Sequence, residues 1–322
     1  MTPRILLKAR PTAAQLADRL ADRPSQPRPD GLELYLDGAD LADDAAMDGV
    51  VARLEACALP SDFILLVEGP IRSLDGEFFD LSRDSDADRE LSRRIVSLAT
   101  RVGAVGANVH AIAPTADASS LTVESRRAIL DRAVTPARFF ADLALAAGIT
   151  PTIENMPPIL RMRESGYFYS AIGMPPRDMV ELCEAIPGLR VILDTSHAQL
   201  YLNLRRGIEE DVPGQDLAPL RRFVAEVGGP DSIDEYLDAL GELTFAAHLA
   251  NAGGLLGEGW PYGRGDLDLD RIVPRLAGRA RYIVTETLEP DNDNAALMRE
   301  AQRRTLAALA ADIAPSQLRV GT

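Results

Sequence analysis

Short apolar runs alternate along the chain with longer amphipathic segments, and turn residues bound each run. This is the pattern of repeated β–α units around a parallel sheet. Eight runs read as strands: RILLKA (4–9), GLELYLD (31–37), DFILLVEG (62–69), VGANVHAI (105–112), ITPTIEN (149–155), RVILDTSH (190–197), TFAAHLAN (244–251) and RYIVTE (281–286). Between them, stretches such as DADRELSRRIVSLATRVG (86–103) and SRRAILDRAVTPARFFADLALAAG (125–148) repeat their apolar positions at helical spacing and close on glycine, and a last helix is expected within NAALMREAQRRTLAALAADI (294–313). Eight such units in 322 residues predict an α/β chain folded as one (β/α)8 barrel over residues 1–322. A doubly wound open sheet is the alternative, but KARPTAAQ, after the first strand, has Pro where a dinucleotide-binding turn needs Gly. The longest connections follow strands five, six and seven (157–174, 198–230 and 252–265) and are expected to form lids or walls over a site.

The composition, 46% hydrophobic and 26% charged, supports one large core. A formal charge of −15 and a pI near 4.7 disfavour nucleic acid, because the long-range field repels a polyanion, and favour small neutral or metal-bridged substrates. Lys8 is the single lysine. Cys57 and Cys183 fall in predicted helices and read as buried free thiols in a reducing compartment. With no leader-like N-terminus and no run of membrane-spanning length, a soluble cytoplasmic protein is expected. A homo-oligomer is compatible with all of this.

The chemistry gathers where the strands end. Strand three ends in Glu68, four in His110, five in Glu154, six in Asp194 and His197, seven in His248 and eight in Glu286, so all three histidines of the chain fall at strand ends. The C-terminal ends of barrel strands carry the active site, and carboxylates converging there repel one another unless a cation joins them. Each residue alone also has a plainer reading. Asp194 before Thr-Ser suits a helix N-cap, and an isolated His110 or His248 suits a satisfied core histidine. Glu154 and Glu286 are harder to dismiss, since a Glu closing an apolar strand must be paired or hydrated.

Taken together, IEN with Glu154, LDTSH with Asp194 and His197, AHLAN with His248, GRGDLDLDRI, and TET with Glu286 resemble the xylose isomerase-like TIM barrels, a superfamily of sugar isomerases and epimerases, inosose dehydratases and endonuclease IV. The resemblance spans the C-terminal half of the chain. It implies a divalent metal ion (Mn, Mg, Co, Zn or Fe) held by Glu154, Asp194, His248 and Glu286, with His197 contacting substrate. His110 and Glu68 bind substrate or support a second metal. Two departures stand out: Asn251 occupies a position near the strand-seven His where many relatives are acidic, and GLLGEGWPYGRGDLD lacks the loop histidine of a trinuclear endonuclease.

A divalent ion that chelates a carbonyl oxygen and the neighbouring hydroxyl acidifies the C–H between them, and two flanking carboxylates, Glu154 and Glu286, can then act as acid and base. The leading expectation is a metal-dependent isomerase or epimerase of a sugar, keto-sugar or cyclitol, with Trp260 and Tyr262 stacking on the substrate and Arg264 binding a hydroxyl, carboxylate or phosphate. Trp260 and Tyr262 serve equally well to pack their loop, and Asp266 and Asp268 read as loop and N-cap residues. The alternatives are a phosphodiester hydrolase like endonuclease IV, a related dehydratase and an iron-dependent oxidase. A Schiff-base enzyme using Lys8 lacks a paired residue that lowers the amine pKa.

Overall fold

The computed structural model describes residues 2–24, 26–162 and 166–317. Eight parallel strands close into a barrel: β1 (Arg4–Ala9), β2 (Gly31–Tyr35), β3 (Ile64–Glu68), β4 (Gly106–His110), β5 (Thr150–Glu154), β6 (Arg190–Asp194), β7 (Thr244–Leu249) and β8 (Tyr282–Thr285). Each strand pairs with its sequence neighbours, and β1 pairs with β8 to complete the ring, so the (β/α)8 expectation is borne out. The predicted strands run one or two residues too far at several ends. The β6 strand differs most: its run stops at Asp194, and Thr195–Arg205 is a helix.

Side chains alternate between the two faces of each strand. Outward residues such as Ile5, Leu7, Val67, Val191, Leu193 and Ile283 join the main core beneath the helices, and inward residues Leu6, Leu66, Ile192, Ala246 and Val284 form a second apolar cluster inside the barrel. Two residues further along these strands come Lys8, Glu68, Asp194, His248 and Glu286. The period that packs the barrel therefore also aims these five side chains inward, one layer above the apolar plug.

The helices are set by local signals. Ser85, Thr122, Ser232 and Asp268 cap helices Asp86–Arg101, Val123–Ala146, Ile233–Leu240 and Leu269–Ala277 with their side chains, while Gly103 (φ +70°) and Gly148 (φ +75°) follow two of the helix ends in the left-handed conformation. Of the two thiols, Cys183 is buried within Pro176–Ala185, whereas Cys57 is half-buried in the turn after Asp44–Glu55 rather than in the helix; both are free.

The connections after β3 to β7 build the barrel mouth. Residues 69–85, after β3, form a long loop that the hydrophobic pattern does not announce. Pro114–Thr115, Ile159–Met162 and Gly166–Ser170 make a three-stranded antiparallel sheet over the β4 and β5 ends; residues 163–165 of this predicted wall lie outside the described residues. The stretch 198–230 is largely helix, continuing Thr195–Arg205 and forming Ala218–Val227. After β7, Asn251–Gly253 and Gly257–Trp260 form a hairpin. No helix among the described residues is long and apolar enough to cross a membrane.

One buried ion pair ties the outer layer together. Asp178, fully buried in the first turn of Pro176–Ala185, accepts from Arg126 of Val123–Ala146 and from the Gly173 N–H at 2.9 Å. Burial, with the nearby Arg177, lowers the Arg126 guanidinium to about 10, still charged at neutral pH, and Asp178 is the carboxylate that answers that charge directly. Asp178→Ala strands that charge and is expected to destabilise the protein by about 3–5 kcal/mol. Urea unfolding measures this, and a loss below about 1 kcal/mol would show that solvent reaches Arg126.

Candidate metal centre

Strand register brings the candidate residues together in pairs. His110 lies beside Glu154 across β4 and β5, Asp194 beside His248 across β6 and β7, and Lys8 beside Glu33 across β1 and β2. His248 is fully buried at the centre. Its Nδ1 lies 2.6 Å from Glu286 Oε2, 3.4 Å from Glu154 Oε1 and 3.9 Å from Asp194 Oδ2, while its Nε2 lies 2.7 Å from Glu33 Oε2. One ligand atom from each of Glu154, Asp194, His248 and Glu286 falls within a 4.8 Å group.

Second contacts fix the orientation of these groups. Asn108 Nδ2 donates to Glu154 Oε2 at 2.8 Å, leaving Oε1 for the His248 side. The Asn155 side chain accepts from the Asp194 backbone N–H at 2.7 Å and donates to the Asp194 carbonyl at 3.1 Å, locking the ends of β5 and β6 together. Asp194 Oδ1 accepts from the His197 backbone N–H and so caps Thr195–Arg205, while Oδ2 faces His248. The capping and site readings of Asp194 are therefore compatible. Lys8 Nζ holds Glu286 Oε1 and lies 2.6 Å from Glu68 Oε2.

Burial and charge pull the ionisations apart. Burial raises Glu154 and Glu286, but His248 together with His110 at Glu154 and Lys8 at Glu286 outweighs it, and both carboxyls fall to about 2. Burial wins at Asp194, pushed up to about 7 against the nearby His197 charge, and at Glu33, also raised to about 7 against His248. Burial disfavours a charged His248, yet Glu286, Glu33 and Glu154 lift it well above the ordinary histidine value. The protein alone thus balances its carboxylates with an imidazolium.

The donor set fits a divalent ion. Both ring nitrogens of His248, Glu286 Oε2 and both oxygens of Glu33 are buried without a hydrogen bond, with Nδ1 lying 2.6 Å from Glu286 Oε2 and Nε2 2.7 Å from Glu33 Oε2. A proton kept on Nε2 beside Glu33 would leave Nδ1 as a lone-pair donor facing three carboxylate oxygens, a mixed set that suits Mn, Mg, Co, Zn or Fe, whereas the Nε2 side groups only Glu33 and Glu68 with the same imidazole.

Above the cluster opens a cavity of about 760 Å³, within the ~300–1,000 Å³ range of small-ligand sites. Glu154 and Glu286 reach its floor, as do Glu68, His110 and His197. His197 stands on the first helical turn after β6 rather than on the strand. Its Nδ1 lies 2.7 Å from the Asn155 carbonyl and must donate to it, which leaves Nε2 towards the cavity, 3.2 Å from Glu258 Oε1.

Three expected wall residues lie elsewhere. Trp260, Tyr262 and Arg264 do not line this cavity. Arg264 stacks on Trp260 at 4.6 Å, and Tyr262 is buried, donating from its hydroxyl to Asp270 at 2.9 Å with Arg304 over its ring. Their aromatic area packs the hairpin and its following loop. Asn251, flagged as an uncharged departure, is fully buried and accepts from the Ala252 and Leu267 N–H groups, so it holds that loop in shape. Asp268 is the N-cap of Leu269–Ala277, and Asp266 accepts from Asn203.

Glu33, Glu258, Asn108 and Asn155 also serve the site, although the strand ends do not single them out. Glu33 carries a usable signal: a charge between two leucines in GLELY sits on the inward face one layer below Tyr35. Glu258 carries none, because its position depends on how the hairpin folds back over His197. Lys8, weighed only as a Schiff-base amine, is an ammonium held in two ion pairs that raise its pKa well above the usual lysine value against the opposing effect of burial.

The sequence matches the family described as xylose isomerase-like TIM barrel across residues 29–308. No curated protein matches it. Among solved structures, it is similar to a D-tagatose 3-epimerase-like protein at 14% identity and a TM-score of 0.63, covering 96% of this chain and 99% of that one. It is similar to an L-ribulose 3-epimerase at 15% identity and a TM-score of 0.61, covering 99% and 98%. An AP endonuclease, family 2, from Brucella melitensis gives 16% identity and a TM-score of 0.56, covering 91% and 97%. At such identities the likeness is one of fold. The family match takes in β2 to β8 and every site residue except Lys8, and the chain belongs to the xylose isomerase-like TIM barrel family.

Proposed function

We propose that the protein is a metal-dependent epimerase or isomerase of a sugar, keto-sugar or cyclitol, with Glu154 and Glu286 as its acid–base pair and Glu154, Asp194, His248 and Glu286 as its metal ligands. The observation that carries this reading is the placement of Glu154 and Glu286. They lie three strands apart around an eight-strand ring, approach the same His248 nitrogen and both reach the floor of one cavity. The sugar-epimerase names among the structural neighbours agree with it.

A divalent ion bound in this cluster supplies Lewis-acid polarisation of a substrate carbonyl. The protein does the rest. Asn108 and Lys8 each take one oxygen of Glu154 and Glu286, respectively, and so hold the carboxylates in fixed orientations on two sides of the substrate. One removes the proton from the carbon beside the carbonyl, the C–H electron pair enters the C–C bond and the carbonyl pair moves onto oxygen. The other returns a proton to the opposite face. His197 Nε2, with Glu258 beside it, faces the cavity as a hydrogen-bonding partner for a hydroxyl. The three-stranded sheet and the β3 loop wall the cavity through Leu160 and Ile71, limiting water around the reacting carbon. The net charge of −15 favours such a substrate over a phosphodiester polymer.

Protein purified without chelator is expected to carry about one divalent ion per chain. Asp194→Asn keeps the cap, for which Asn serves as well as Asp, yet removes a charged ligand, so it should lose the ion while its unfolding midpoint in EDTA stays near that of metal-stripped wild type. Elemental analysis and circular dichroism read the two effects. A metal-free wild type whose turnover survives EDTA would refute the metal assignment.

Turnover of a keto-sugar in D2O should place deuterium on the carbon beside the carbonyl. Glu154→Gln and Glu286→Gln should each lower kcat by about 10²–10⁴-fold, more than any loss of metal accounts for. Mass spectrometry of the product and metal-corrected kinetics check this, and unlabelled product would favour a hydride shift instead.

A further inference from the structure

We propose that Lys8 is the second cation of this centre, an ammonium fixed where another divalent ion would otherwise bind, so that the site holds one metal and not two. This rests on the metal reading above. Lys8 is the only lysine in the chain and is largely buried, with its Nζ between Glu68 Oε2, at 2.6 Å, and Glu286 Oε1. The Tyr35 ring, 5.3 Å away, adds an aromatic face to the same ammonium.

Beside it, Glu68 takes part in two further potential metal-binding sets, one with Glu33 and His248, the other with His110 and Glu154 at the cavity floor. Ligand atoms of Glu68, His110 and Glu154 lie within 4.8 Å of one another, and Glu154 belongs to this set as well as to the metal ligands proposed above. Glu68 Oε1 lies 3.3 Å and Glu154 Oε2 3.8 Å from His110 Nε2. Taken alone, two buried carboxylates and an imidazole invite a cation. Lys8 already answers that demand at Glu68, and Asn108 Nδ2 donates to the Glu154 oxygen that faces His110. A divalent ion on Glu68 would sit against the ammonium with little water to screen the repulsion. The same ion pair turns Glu286 so that Oε1 faces Lys8 and Oε2 faces His248 Nδ1. Lys8 is therefore a positioning residue that sets metal number and carboxylate orientation together.

Metal-stripped protein titrated with Mn²⁺, with bound ions counted by elemental analysis and their coupling read by electron paramagnetic resonance, tests this. Wild type and Lys8→Arg are expected to take one uncoupled ion per chain. Lys8→Gln is expected to take two, spin-coupled, and Lys8→Gln combined with His110→Ala to return to one. A folded Lys8→Gln protein that saturates at one ion overturns the proposal, as does a second ion that survives His110→Ala. If Lys8→Gln does not fold, wild type in excess Mn²⁺ still decides: one uncoupled ion supports the assignment and two coupled ions overturn it. A wild type that binds no Mn²⁺ instead refutes the metal centre itself.

Discussion

The balance of charge around His248 is the constraint on which the rest of the site depends. Glu33, Glu68, Glu154 and Asp194 are all buried, and Glu286 is only partly exposed. So many carboxylates in a barrel core are tolerable only with cations among them. Fully buried at the centre of the cluster, His248 meets carboxylates with both ring nitrogens, Glu33 on one side and Glu286, Glu154 and Asp194 on the other. That asymmetry gives the imidazole its two possible states. Protonated, it is the internal counter-charge; with its remaining proton held towards Glu33, it offers Nδ1 to an ion. An ion bound at Nδ1 would thus displace a proton from a place already built for positive charge.

The barrel supplies this arrangement through its own repeat. Leu6, Leu66, Ile192, Ala246 and Val284 plug the interior, and the residue two positions after each points into the next layer up. A stable apolar layer beneath and a charged layer above are consequences of one strand period, which is why the site can concentrate charge without opening the core. The helices add their own part at β6, where Asp194 uses one oxygen to start Thr195–Arg205 and turns the other to His248.

Much of this was legible in the sequence because it depends on period and position. The eight apolar runs gave the strands, and reading two residues beyond each plug residue leads to Glu68, Asp194, His248 and Glu286. Where local turn chemistry competes with the apolar run, the reading failed: RVILDTSH looks like one strand through His197, but Asp194 capping the His197 N–H begins a helix there. Loop side chains were not legible. Trp260, Tyr262 and Arg264 are residue types that bind sugars, yet the hairpin spends them on its own packing and delivers Glu258 to the cavity instead. Glu33 was missed because the strand-end criterion looks one layer too high, and Lys8 because its partners, Glu68 and Glu286, are remote in sequence.

The central claim is that the ion belongs on the Nδ1 side of His248, with the Nε2 side reserved for Glu33. Crystals of the protein loaded with Mn²⁺ or Zn²⁺, measured at the metal's absorption edge, test this directly. The account predicts one anomalous peak in contact with His248 Nδ1 and with oxygens of Glu154, Asp194 and Glu286, and none beside Glu33. A peak bound by His248 Nε2 with Glu33 and Glu68, leaving Glu154 and Glu286 free, would contradict it.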